Sequence, residues 1–94
     1  MFKVGDRIIV KENYREIDKN NRILCTLAKE YYDIGSYTGK IFLIKKYERI
    51  EIGIEFDKEC ECFHTLSGRL DGRFGYWLTS DMIELTNPNA VELI

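Results

Sequence analysis

The sequence predicts a mainly β domain: a small, five-stranded antiparallel barrel with a long insertion between its first two strands. Three observations carry this reading. In Arg49 to Asp57 the residues Ile50, Ile52, Ile54 and Phe56 alternate without a break against Arg49, Glu51, Gly53, Glu55 and Asp57, the period-two pattern of a half-buried strand. Just before it, Lys40-Ile41-Phe42-Leu43-Ile44-Lys45-Lys46 is a near-continuous apolar run, as in a strand buried on both faces for part of its length. Further on, Arg73 to Thr79 sets Phe74, Tyr76 and Leu78 on one face and Gly75 and Trp77 on the other.

The elements follow in chain order. Val4-Gly5-Asp6-Arg7 leads into Ile8-Ile9-Val10-Lys11-Glu12, a β-branched run after a Gly-Asp turn signal, which places strand 1 at about 7–12. The insertion, about 13–37, opens with a polar stretch to Asn21. It continues into Arg22 to Tyr32, where Ile23, Leu24, Leu27, Ala28 and Tyr31 form one helical stripe. Asn20 or Asn21 could cap that helix and Gly35 could lie just past its end. The rival is an alternating strand through Ile23, Cys25 and Leu27. After the loop Gly35 to Gly39, strand 2 turns at Tyr47-Glu48-Arg49 into the central strand, with Glu51 opposite Lys45 or Lys46. Such an opposite-charge pair is worth roughly 0.2–1 kcal/mol, enough to favour a register. Residues 58–72 read as loop, Ser80-Asp81-Met82 as a short helical turn before Ile83-Glu84-Leu85, and about 87–94, from Asn87-Pro88-Asn89 on, as a loose tail.

Ninety-four residues with 45% hydrophobic and 32% charged content are expected to make one globular domain, 1–94, with one modest core. The net charge of −2 weighs against a strong electrostatic footprint for nucleic acid, although not against a local basic patch. The start is charged within three residues and no run approaches a membrane span, so a cytoplasmic protein with no membrane partner is expected. Three cysteines fit reduced thiols in that compartment.

Several of these segments together carry a resemblance. Val4-Gly5-Asp6-Arg7, Thr38-Gly39-Lys40-Ile41, Ile52-Gly53-Ile54-Glu55-Phe56-Asp57, Gly72-Arg73-Phe74-Gly75-Tyr76-Trp77 and Met82-Ile83-Glu84-Leu85 resemble the small SH3-like barrel proteins of bacteria and phages. More distantly they are similar to the CAP-Gly domain. The first group shows a Gly-Val-Glu-Phe-Asp strand, a His in the following loop, a Gly-rich turn and a Gly-Tyr/Trp-Trp strand, and His64, Gly68, Gly72, Gly75 and Trp77 fall at matching places. The resemblance covers about two-thirds of the chain and omits Asn13 to Tyr37. It implies a fold and no settled activity. The CAP-Gly family grips acidic, aromatic-ended tails through a Gly-Lys-Asn-Asp-Gly loop, which Ser67-Gly68-Arg69-Leu70-Asp71-Gly72 does not match.

Direct searches for chemistry return little. Cys60, Cys62 and His64, with Cys25, could supply a Cys₃His zinc set, but the paired Cys-x₂₋₄-Cys or His-x₃₋₅-His knuckles of structural sites are missing, and no metal or other cofactor is expected. A Cys62/His64 nucleophile has no orienting third group, so a non-enzyme is expected. Gly68 to Gly75 lacks phosphate-loop spacing and reads as a turn. Glu51, Glu55, Asp57, Glu59 and Glu61 read as a solvated charge row.

Aromatic residues are the more informative group. Small barrels bind extended peptides in grooves lined by Tyr and Trp, and the predicted ligand-binding residues are Tyr37, His64, Arg69, Tyr76 and Trp77. The same rings could simply cover a small core. The expected function is thus a non-catalytic module for a protein or peptide partner. The alternatives are a nucleic-acid surface built from Lys40, Lys45, Lys46, Arg49, Arg69 and Arg73, which the acidic row opposes, and a zinc-stabilised fold.

Overall fold

Five strands form in the computed structural model, which describes residues 1–86: β1 (Arg7–Val10), β2 (Thr38–Lys46), β3 (Ile50–Phe56), β4 (Gly75–Leu78) and β5 (Ile83–Leu85). They pair antiparallel in one sheet, in the order β4-β3-β2-β1-β5. β4 and β5 each have one strand neighbour, so the sheet is open and does not close into a barrel. Its core face packs against the insertion and the loop of residues 58–72. The predicted tail lies outside the described residues, among which no helix is long and apolar enough to cross a membrane.

The β2–β3 hairpin sets the register for the rest. Lys45 pairs with Glu51, as one of the two expected registers has it, and Ile44 with Ile52. Between Ile41, opposite Ile54, and Leu43, opposite Gly53, the register shifts and leaves Phe42 as an extra residue, a β-bulge. It resolves the four-residue apolar run: Ile41 enters the core and Ile44 packs at its margin, while Leu43 joins the opposite face. Gly39 is needed in this hairpin because a Cβ there would lie 2.6 Å from the Glu55 carbonyl oxygen and 2.9 Å from the Phe56 Cα.

The core lies on the face of Ile8, Val10, Ile41, Ile52, Ile54, Phe56, Tyr76 and Leu78. Two expected members are missing. Ile50, at the hairpin end of β3, is 48% exposed, and Phe74 is half-buried, with its ring 2.7 Å from where a Cβ on Gly72 would sit.

The insertion departs most from expectation. The insertion does contain a helix, but α1 spans Tyr14–Asn21, the stretch read as its polar opening, and neither Asn20 nor Asn21 caps a later helix. Tyr14, Ile17 and Asp18 recur at i, i+3 and i+4, and this narrow stripe turns inward with Tyr14 and Asp18 buried. Arg22 adopts the left-handed conformation (φ 53°) and ends the helix. The Asp18 Oδ1 then accepts the Ile23 and Leu24 N–H groups at 2.7 and 2.9 Å. Neither the helix at Arg22 to Tyr32 nor its rival strand forms. Instead Leu27–Tyr31 makes one π-type turn, closed by Tyr32 N–H to the Leu27 carbonyl. The wider turn breaks the stripe, burying Leu24 and Ala28 but leaving Leu27 and Tyr31 exposed.

The fully buried Tyr14 gathers the end of this segment. Its hydroxyl accepts the Ile34 N–H at 3.0 Å and lies 3.2 Å from the Ala28 and Tyr32 carbonyls, to which its single proton is shared. The Arg15 guanidinium donates to the same two carbonyls. At the other end of α1, the Asn21 amide donates to Thr79 Oγ1 and the Asp81 carboxylate. Tyr14 and Arg15 thus tie the insertion's two ends to each other, and Asn21 ties α1 to the turn at Ser80–Met82.

Candidate functional site

The five residues singled out from the sequence do not converge on one groove. Strand alternation divides them. Tyr76 points into the core and is 4% exposed, whereas Trp77, the next residue, lies on the opposite face of the sheet.

On the core side, Tyr37 meets Phe56 and Phe63 edge-on at 6.2 and 6.0 Å, and Phe56 and Phe63 stack at 4.5 Å. His64 lies 5.7 Å from the Tyr76 ring. This is an aromatic packing cluster, of the kind worth about 0.5–1.5 kcal/mol per pair beyond area burial. Only its rim is open: Tyr37 is half-buried, and the Lys58 Nζ sits 4.0 Å from its ring centroid. The Tyr76 hydroxyl accepts the Cys25 N–H at 2.9 Å and donates to Cys25 Sγ at 3.1 Å. Burial pushes the Tyr76 hydroxyl's pKa well up, and the bond to Cys25 adds to it. For the exposed Cys25 thiol, burial of its near side works upwards. The Tyr76 hydroxyl and backbone N–H groups outweigh it and hold the pKa below the usual thiol value.

His64 is held as a neutral imidazole. Burial lowers its pKa first and the Arg73 charge lowers it further. Its Nδ1 accepts the Leu66 N–H at 3.1 Å. Among the described residues no group of three or more His, Cys, Asp or Glu side chains is placed to hold a metal ion. The Cys25, Cys60, Cys62 and His64 set is therefore not gathered into a tetrahedral site. Arg69 is exposed and folds back on its own loop, where its guanidinium donates to the Leu66 carbonyl at 3.0 Å.

The acidic row is mostly paired. Asp57 binds Arg7 and Thr38 Oγ1, Glu55 lies 3.6 Å from Lys40, Glu51 3.5 Å from Arg49, and Glu61 accepts the Tyr32 hydroxyl.

On the other face, the Trp77 ring lies over Gly53. A Cβ on Gly53 would meet Trp77 Cζ3 at 2.9 Å and Leu43 Cγ at 3.3 Å, so the missing side chain leaves the shelf on which the indole rests. The Lys45 Nζ stands 4.8 Å from the ring centroid, a contact worth about 0.5–1 kcal/mol at an exposed site.

The backbone of β4 adds what side-chain patterning could not show. Phe56 N–H donates to the Phe74 carbonyl, so hydrogen-bonded pairs between β3 and β4 fall at 74, 76 and 78. Gly75 and Trp77 must then turn their N–H and C=O groups away from β3. Those of Gly75 are taken by His64, which donates and accepts at 2.8 and 2.7 Å. Those of Trp77 have no partner among the described residues. The site is thus a short stretch of open sheet edge, beginning where the His64 bridge stops and flanked by the half-buried indole of Trp77.

No protein-family model matches the chain, and comparisons with curated proteins and with solved structures return no match.

Proposed function

We propose that the protein is a non-catalytic interaction module of SH3-like kinship that binds an extended segment of a partner protein by strand addition along β4. The observation that carries this reading is the N–H and C=O of Trp77, unpaired among the described residues at the sheet edge, beside that residue's own indole. An open edge is a template for another strand, and backbone bonds supply affinity while pockets for alternate side chains supply specificity. His64 already makes one such bridge to Gly75, and a peptide would continue the ladder from there. Trp77 and Leu43 offer apolar contact. Lys45, with no carboxylate within salt-bridge distance among the described residues, favours a peptide carrying an acidic residue. The SH3-like relationship rests on the sequence motifs and the five antiparallel strands, and not on closure. A cytoplasmic setting belongs to the same proposal.

The chain has one tryptophan, so Trp77 emission reports directly on this edge. Peptides selected from a displayed library against the folded chain should shift that emission. Loss of the ring in Trp77→Ala should weaken them by at least about 2 kcal/mol, or roughly thirtyfold, as for an anchoring Trp. Selected peptides that bind Trp77→Ala as tightly, with that variant folded by circular dichroism, would overturn the proposal. If Trp77→Ala does not fold, Lys45→Glu serves, and unchanged affinity for acidic peptides counts against the site. A ligand whose binding collapses with added salt and is destroyed by nuclease would favour nucleic acid instead.

A further inference from the structure

Outside the β4 edge, the strongest concentration of reactive groups lies in the turn that precedes His64. Cys60 Sγ and Cys62 Sγ are 3.3 Å apart, in mutual hydrogen-bond contact. Cys60 is half-buried and Cys62 is 6% exposed. The turn is closed by Phe63 N–H to the Cys60 carbonyl. It is held from outside by the Tyr32 hydroxyl on Glu61 and from beneath by the Phe63 ring on Phe56. Cys60 opens on a cleft of about 380 Å³, whose rim is completed by Glu59, Glu61 and Arg73. The two thiols are therefore fixed close to bonding distance, with one accessible and one not.

We propose that Cys60 and Cys62 form a reversible dithiol/disulfide site, with Cys60 the sulfur that attacks an oxidant arriving from solvent and Cys62 the resolving sulfur, and with low-molecular-weight disulfides such as oxidised glutathione as the oxidant. The Cys60 thiolate attacks one sulfur of the reagent, breaks its S–S bond and forms a mixed disulfide, and the first glutathione thiolate leaves. Cys62 gives up its proton and attacks Cys60 Sγ, and the second glutathione thiolate leaves. Two thiols are oxidised, one disulfide is reduced to two thiols, and the two protons end on the two glutathiones. The division of labour follows from burial, which pushes the Cys62 thiol up to about 12, with the contact to Cys60 adding to it. Cys62 thus keeps its proton until a neighbouring electrophilic sulfur is in place. Closing a ring across a single intervening residue strains the product, and strained, accessible disulfides are the readily reduced, labile ones.

Trypsin allows the two halves of the cysteine complement to be read separately, since cleavage after Lys58 and Arg69 isolates residues 59–69, with Cys60 and Cys62, from 23–29, with Cys25. The folded chain is incubated with graded ratios of oxidised to reduced glutathione, quenched with acid, alkylated and digested. The expected result is a 59–69 fragment that loses two hydrogens and takes up no alkylating group. It should be restored by reduced glutathione and still form in Cys25→Ser. Cys62→Ser should stop at a glutathione adduct on Cys60. At each ratio the oxidised fraction should exceed that of the urea-unfolded chain, in which the sulfurs are not held together. A 59–69 fragment that stays doubly alkylated would overturn the proposal. So would a disulfide that requires Cys25 or forms no more readily in the folded chain than in the unfolded one.

Discussion

The Tyr14 hydroxyl accepts the amide hydrogen of Ile34 at 3.0 Å, across twenty residues of sequence, with both residues fully buried. Tyr14→Phe keeps the ring and removes only the oxygen. The Ile34 N–H then has no acceptor, and the shared carbonyls of Ala28 and Tyr32 retain only Arg15. A buried donor left unpaired costs about 1–3 kcal/mol. Urea unfolding of Tyr14→Phe should show a loss of that size, with proteolysis quickening within residues 22–34. Unchanged stability would mean that water replaces the hydroxyl.

Asp18 presents a sharper contrast, because one of its oxygens does all the work. Oδ1 takes both the Ile23 and Leu24 N–H groups, and Asn has an oxygen that can occupy the same place. Asp18→Asn should therefore retain more stability than Asp18→Ala, which leaves two N–H groups without an acceptor, at roughly 1–3 kcal/mol for each buried one. Equal losses in chemical denaturation would show that the negative charge, and not the acceptor, is what the fold requires.

His64, the one histidine of the chain, gives stability a slope near neutrality. Its pKa is lowered in the fold by burial and then by Arg73, so below its unfolded value of about 6.5 the unfolded chain binds the proton more readily. The stability it contributes is complete above that value and is lost as pH falls through the lower, folded one. Protonation of Nδ1 would also break its bond from Leu66 N–H. Unfolding free energies compared between about pH 7.5 and 5.5, where the carboxylates stay ionised, should fall in the wild type. The fall should be smaller in His64→Asn, whose amide oxygen can keep the Leu66 bond.

Gly39 and Gly53 should respond differently to the same added methyl group. At Gly39 the new Cβ meets backbone, the Glu55 carbonyl oxygen and the Phe56 Cα, which cannot yield without parting β2 from β3. At Gly53 it meets the Trp77 ring, which can swing outward. Overpacking of the rigid kind costs about 1–3 kcal/mol. Gly39→Ala is expected to fall in that range by thermal unfolding. Gly53→Ala should lose less stability but alter Trp77 emission and weaken peptide binding at the β4 edge. Equal destabilisation would show that the indole is as fixed as the backbone.

Much of the sheet was legible because its signals are local. Period-two alternation placed β3 and the face of Tyr76, a short turn with opposite charges placed the hairpin register, and turn chemistry located the helical turn at Ser80–Met82. Helix α1 was hidden because its inward stripe contains only one tyrosine, one isoleucine and an aspartate whose burial depends on amides that arrive after the helix has ended. The apolar stripe beyond it misled because a π-type turn changes the phase that a helical wheel assumes. Parity put Trp77 on the far face, as expected from the sequence. That its backbone would be unpaired depends on which strand lies at the edge and on where the His64 bridge stops. Those are facts of long-range pairing, and no pattern within Gly75 to Leu78 contains them.

The fastening of α1 to the turn at Ser80–Met82 also constrains how the protein is made. Asn21 finds its partner Asp81 sixty residues later, and Ile8 pairs with Leu85. On a ribosome the first third of the chain therefore emerges well before the residues that complete its packing, and Ile8, Val10 and Tyr14 wait without their final neighbours. Non-local pairing of this kind slows folding and prolongs exposure of apolar segments. Among the described residues, the hairpin of β2 and β3 is the large unit whose halves are made together. It is thus the natural first structure on the nascent chain, with β1 and α1 completing their packing only once β5 has been made.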